Sequence, residues 1–295
     1  MLIRALFPRW LLLSPSMRAD LGFFLLNSFV TGSLIGWGLF SYAAITHGAT
    51  DAMVRVFGAG PHPAMPPPVG AGLMTVALFL AYDFSYWVDH ALKHKVPALW
   101  EFHRVHHTAE VLSPLTAFRM HPVDSLVFAN ITAAAMGAVN GVGLYLLGGT
   151  AKPATLSGTN VILVVFVFAV IHLQHSHIPI RIGGWLGRVV FSPAHHHIHH
   201  STRVEHYGCN LGSCLAVWDW MFGTLILPDE VKGRLTFGGG HRGRPLSSAF
   251  HRGRPGPALH PRGADARAEV AAGCDAGAGR REPKSPLTTS RDTAR

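Results

Sequence analysis

The spacing H-x-x-H-H occurs twice in this chain, once at His103, His106 and His107 and again at His196, His199 and His200. On a helix, residues three or four apart share a face, so each copy offers two imidazoles to one point, as do His90 and His94 just upstream. Neighbouring helical positions project about 100° apart. His106 beside His107 therefore suits two metal ions lying side by side better than one. If both copies serve one site, the fold must return widely separated segments to the same place.

A lone H-x-x-x-H on an apolar helix is more often an ordinary core or surface pair than a ligand pair. The tract from His195 to His200, with five histidines in six residues, also has the composition of a His-rich low-complexity run. Repetition of one spacing in two segments, with His172, His175 and His177 between them in IHLQHSHI, moves the reading to a bound metal. Neutral imidazole is a good ligand for iron or zinc and leaves most of the metal's positive charge uncancelled.

With 48% hydrophobic and only 14% charged residues, the chain has the composition of a membrane protein. Of the net charge of +9, the segment from Gly239 onward carries eleven Lys or Arg against five Asp or Glu, so nucleic-acid binding is not read from it. Cys209, Cys214 and Cys274 have no C-x-x-C spacing and no even count, which points to a reducing compartment. The Gly-rich stretches lack the strand-then-helix context of a dinucleotide site.

In chain order, residues 1–20 form a basic, apolar lead-in with Arg4, Arg9 and Arg18, without a secretory cleavage pattern. Apolar runs at about Leu21–Ile45, Val69–Val88, Ser125–Leu147 and Asn160–Ile171, the first of them uncharged and the last short by itself, are read as four spans of a hydrocarbon core ~30 Å thick. The stretch Thr46–Pro68, ending GPHPAMPPP, reads as an extended loop. A shorter helix restarts after Pro97, with Trp100 at the lipid interface. The expected fold is an all-α membrane protein of about four transmembrane helices, residues 21–237, with a cytoplasmic helical cap over a histidine-rich dimetal site. Four crossings from a cytoplasmic, arginine-bearing N-terminus return the second and fourth spans to that side, where all the boxes then meet. His47 and His62 fall on the opposite side. Residues 238–295, Gly-, Pro-, Ala- and Arg-rich and including His241, His251 and His260, read as a disordered tail.

The succession DHALKH, FHRVHH, RMHPVD, LQHSHI, SPAHHHIHHS, NLG and WDWMFGT resembles the fatty acid hydroxylase, or sterol desaturase, superfamily of integral-membrane oxygenases. The resemblance implies a dinuclear centre, normally of two irons, with His90, His94, His103, His106, His107, His175, His196, His199 and His200 as ligands. His121, His172, His177 and His206 are further candidates. His195 and His197 depart from the family's pattern and could lie behind the ligands or face solvent. The segment EHYGCNLG lacks the acidic residue that relatives carry just before the Asn, near Gly208 here.

Such a centre uses O2 to attack an unactivated C–H bond, and zinc could occupy the same cage. Asp83, Asp89, Glu101, Asp124 and Asp219 are candidate acceptors behind the imidazoles, with Arg119 positioned to pair with one of them. The expected function is lipid hydroxylation at a bacterial inner membrane, with desaturation as the alternative outcome and metal transport or storage as a reading of a different class. A ferredoxin- or cytochrome-type donor would dock at the basic face near Lys93, Lys95 and Arg104.

Overall fold

The computed structural model describes residues 8–32 and 40–238. The lead-in before Pro8 and the tail after Gly238 lie outside the described residues, and so does the expectation of disorder made for that tail.

Among the described residues there are ten α-helices and one small hairpin. Helices α1 (Arg9–Leu12) and α2 (Pro15–Leu25) come first, and a π-helical turn, Leu26–Thr31, follows α2. Ser14 caps α2 by accepting from the Met17 N–H, with Pro15 at the first helical position. Helix α3 is Tyr42–Phe57, α4 is Pro67–Lys95 and α5 is Pro97–His103. Helix α6 is Pro122–Leu147 and α7 is Val161–Phe166, which runs through the π turn Val167–Ile171 into α8, His172–Gln174. Two short cap helices end the series, α9 (Pro193–His199) and α10 (Val217–Phe222).

Two expectations need correction. The run Leu21–Ile45 contains parts of separate helices, and Thr46–Pro68 is not a loop throughout, because α3 runs on to Phe57. Its Ser41 cap accepts from the Ala44 N–H, and the helix ends only where Gly58 takes a φ of 80°. The Pro-rich extended part begins after that. Helix α3 packs on α6 through small residues. A Cβ on Gly137 would lie 2.9 Å from Ile45 and one on Gly141 2.4 Å from the Thr46 carbonyl, so these glycines let the backbones approach. Thr50 Oγ1 adds a bond of 3.0 Å to the Gly141 carbonyl.

Two helices of the described part, Pro67–Lys95 and Pro122–Thr150, are long and apolar enough to cross a membrane, and Val161–Gln174 is a shorter apolar helix. Together they point to a membrane protein. Helix α4 ends at Val96, whose extended backbone is what a residue before proline prefers, and Pro97 then opens α5. From the far end of α6 the chain returns through a hairpin pairing Thr155 with Asn160 and Leu156 with Thr159. Its turn residues Ser157 and Gly158 both have positive φ, as a two-residue turn of this hand requires. Thr75 of α4 receives the Ala154 N–H, and its carbonyl receives the Asn160 side-chain amide. The hairpin is thereby fixed to α4, and α7 and α8 run back toward the histidine end.

Candidate metal centre

The nine imidazoles expected as ligands form two groups. His90, His94, His103, His107 and His199 make one, and His106, His175, His196 and His200 the other; within each group the ring nitrogens lie within 4.8 Å of one another and every residue is buried. Neighbours in sequence divide between them. His106 and His107 occupy a 3-10 turn after α5 rather than a continuing α-helix, and His199 and His200 close α9. In each pair one imidazole joins each group, which sets the groups side by side.

The donor geometry fits a metal. In the four-histidine group, Nε2 of His175 lies 3.1 Å from that of His106 and 2.8 Å from that of His196, and Nε2 of His200 lies 3.0 Å from that of His196. Nitrogens bound at 2.0–2.1 Å to one ion at right angles stand about 2.9 Å apart. In the five-histidine group, Nε2 of His90 and of His103 is buried without a hydrogen-bond partner. Burial and the surrounding imidazoles hold His106, His107, His196 and His200 well below the ordinary histidine range. His175 is lowered to about 3, chiefly by burial. The imidazoles are thus kept neutral, the form that binds metal.

Three rings of the five-histidine group are oriented from behind. His103 Nδ1 donates to Asp124 Oδ2 at 3.2 Å, His90 Nδ1 to the Leu211 carbonyl at 2.9 Å, and His199 Nδ1 to the Cys209 carbonyl at 2.9 Å. Asp124 is in turn paired with Lys93, which also meets Asp89 at 2.6 Å.

Of the carboxylates expected behind the imidazoles, Asp124 alone bonds to one of them among the described residues. Asp89 meets Lys93 instead, and Glu101 is exposed and paired with Arg104 at 3.0 Å. Asp83 accepts from the Cys214 and Leu215 N–H groups and from the Trp218 indole, which ties the cap to α4. Asp219 accepts from the Trp87 indole and from the Leu211 and Gly212 N–H groups, so it reaches His90 only through the Leu211 peptide. Arg119 pairs with none of these five acids but with Asp20, which the sequence did not single out. Lys93 is buried, so it cannot belong to a docking face.

The other candidate histidines lie outside both groups. His121 caps α6 by accepting from the Val123 N–H, and His172 is exposed beside Phe168. His177 packs its ring on Trp10, and His206 sits in a 3-10 turn of the cap. His195 is buried as the partner of Ser192 in the capping box that opens α9, and His197 is buried against the Ser176 carbonyl at 2.8 Å; neither faces solvent.

A model of the fatty acid hydroxylase family matches residues 75–224, the stretch that holds all nine imidazoles. The chain is similar to ornithine lipid hydroxylase OlsE of Rhizobium tropici, 30% identical over 146 residues that cover 50% of this chain and 40% of the relative. It is also similar to alkylglycerol monooxygenase of Xenopus tropicalis, 23% identical over 154 residues covering 52% of this chain and 30% of the relative. Human cholesterol 25-hydroxylase is 28% identical over 152 residues, 50% of this chain and 48% of the relative. The chain thus spans less than half the length of these curated relatives. No solved structure matches it.

Proposed function

Because this chain belongs to the fatty acid hydroxylase family, we propose that it is a membrane-bound, O2-dependent lipid hydroxylase whose nine clustered histidines hold two irons. The observation that carries the reading is the pair of adjoining imidazole groups, five and four strong, assembled from α4, the turn after α5, the segment after α8, and α9. Transport would call for ligands spread along the depth of the spans; here His90 and His94 sit in the last turns of α4 and His175 follows α8.

Two irons held side by side, with O2 and two electrons from a separate donor, supply the oxidising chemistry that no side chain can provide. The protein's share is placement. Asp124 and the carbonyls of Leu211 and Cys209 fix the ring orientation of His103, His90 and His199. Burial of all nine imidazoles keeps bulk water from the reacting space. Val69, Leu73, Val76 and Leu80 are exposed on α4, a surface suited to lipid. An amphiphile whose tail stays between such spans can bring its reacting carbon to the imidazole end. The relatives, named for hydroxylase or monooxygenase activity on lipids, favour this class, and hydroxylation over desaturation.

The same reading places the histidine end and the N-terminus on the cytoplasmic side of a bacterial inner membrane and completes the four spans with the segments flanking α4 and α6. A ferredoxin- or cytochrome-type donor would then dock near the exposed Lys95, Arg104, Arg181 and Arg188. The test is anaerobic purification with metal quantification, joined to lipid profiling of cells carrying the wild type or His106→Ala. The reading expects about two irons per chain and loss of one hydroxylated lipid in the variant. An unchanged lipid profile removes the catalytic assignment even if metal is bound.

A further inference from the structure

The two imidazole groups differ in what stands behind them. In the five-histidine group, the outward nitrogens of His90, His103 and His199 are held by the Leu211 carbonyl, the Asp124 carboxylate and the Cys209 carbonyl. The carboxylate is itself fixed by buried Lys93, and the peptide of the Leu211 carbonyl by Asp219, which accepts its Gly212 N–H. In the four-histidine group, Nδ1 of His175, His196 and His200 is buried, and none of these three has a hydrogen-bond acceptor among the described residues. His106 alone of the four has a backbone acceptor, that of Arg119.

An acceptor behind a ligating imidazole fixes its tautomer and rotation and makes the metal-facing nitrogen more basic; losing one typically costs about 10- to 100-fold in metal affinity. Ligand number acts in the same direction. Five imidazoles leave at most one open position in a six-coordinate shell and four leave two, so the smaller group is more accessible to water and competing ligands.

We propose that the two metal positions are unequal: the group of His90, His94, His103, His107 and His199 holds its divalent cation tightly, whereas the group of His106, His175, His196 and His200 holds an exchangeable one. Filling is then ordered, the five-histidine position first. A metal-poor preparation would be a one-metal protein rather than a mixture of empty and full ones. The four-histidine position is where exogenous small ligands enter. This rests on the two-metal reading above but adds to it, since two equal positions would serve that reading as well.

The experiment is anaerobic titration of the metal-free, full-length protein in detergent with Co2+, followed by its visible absorption, and removal of bound Co2+ by a chelator. Two equivalents are expected, with dissociation constants at least about tenfold apart, and the chelator should strip one equivalent well before the other. His196→Ala should abolish the weak class and keep the tight one. His90→Ala should do the reverse. Asp124→Asn, which keeps the shape of the side chain, should bring the tight constant toward the weak one without changing the stoichiometry, and it serves where an alanine variant does not fold. Two equivalents of equal affinity, removal of both in one phase, or loss of the tight class in His196→Ala would overturn the inference while leaving the two-metal centre standing. A folded wild type that takes up no Co2+ would overturn both.

Discussion

Asp20 and Arg119 stand 99 positions apart in the chain and meet through a guanidinium Nε to carboxylate Oδ1 contact of 2.6 Å, both side chains buried. Arg119 also donates to the Ser16 carbonyl at 2.6 Å and to Thr108 Oγ1 at 3.2 Å, and Asp20 Oδ2 receives the hydroxyls of Ser113 and Thr116. Helix α2, which lies before the region shared with the family, is thereby joined to the loop that leaves His106 and His107. Removing one partner of a buried ion pair strands the other charge and costs roughly 3–5 kcal/mol. Asp20→Ala should therefore lower stability by about that much, read as thermal unfolding in detergent. An unfolding midpoint equal to wild type would show that the clamp contributes nothing.

Asp219 should act on the site through the peptide it holds. Asp219→Ala leaves the Leu211 and Gly212 N–H groups and the Trp87 indole without their acceptor, at about 1–3 kcal/mol for each donor that stays buried. Because the Leu211 carbonyl orients His90, the variant is expected to lose metal affinity as well as stability. Co2+ binding at wild-type strength in the folded variant would separate the cap from the centre.

Acid should destabilise the metal-free protein by a calculable route. Burial lowers His195 and His197 to about 4 and His175 to about 3, from an ordinary value of 6.5. The unfolded chain binds protons below its ordinary value while the folded one does not. Stability from these groups is thus full above pH 6.5 and falls as the pH drops from 6.5 toward the lowered values. Thermal unfolding of the metal-free protein should move to lower temperature between pH 6.5 and pH 4, and a midpoint that stays flat across that window would contradict the neutral cage.

Two neighbouring lysines should behave differently. Lys95→Glu with Arg104→Glu should slow reduction by an acidic donor protein and weaken the salt dependence of that rate, because both side chains are exposed. Lys93→Met should instead destabilise the fold, since it leaves Asp89 and Asp124 facing each other without their shared cation. Donor kinetics unchanged by the exposed pair of substitutions would move the docking site elsewhere.

Spacing made eight of the nine imidazoles legible, because helical periodicity pairs His90 with His94 and repeats H-x-x-H-H at His103–His107 and His196–His200, and the family resemblance added His175. The mostly helical, apolar character was equally plain, since long apolar runs have few other solutions. Which imidazole joins which group was beyond local spacing, because it depends on where the turn after α5 and the end of α9 meet. The acceptors behind His90 and His199 are backbone carbonyls, which carry no mark of residue identity, so Leu211 and Cys209 left no trace to read. Asp20 looked like one acid in an apolar lead-in, and α3 looked like loop because the Gly and Pro that follow it dominated the window. Residue types therefore determined what the centre is made of. Tertiary packing decided how it is divided and braced, because those outcomes depend on contacts between segments that local sequence does not specify.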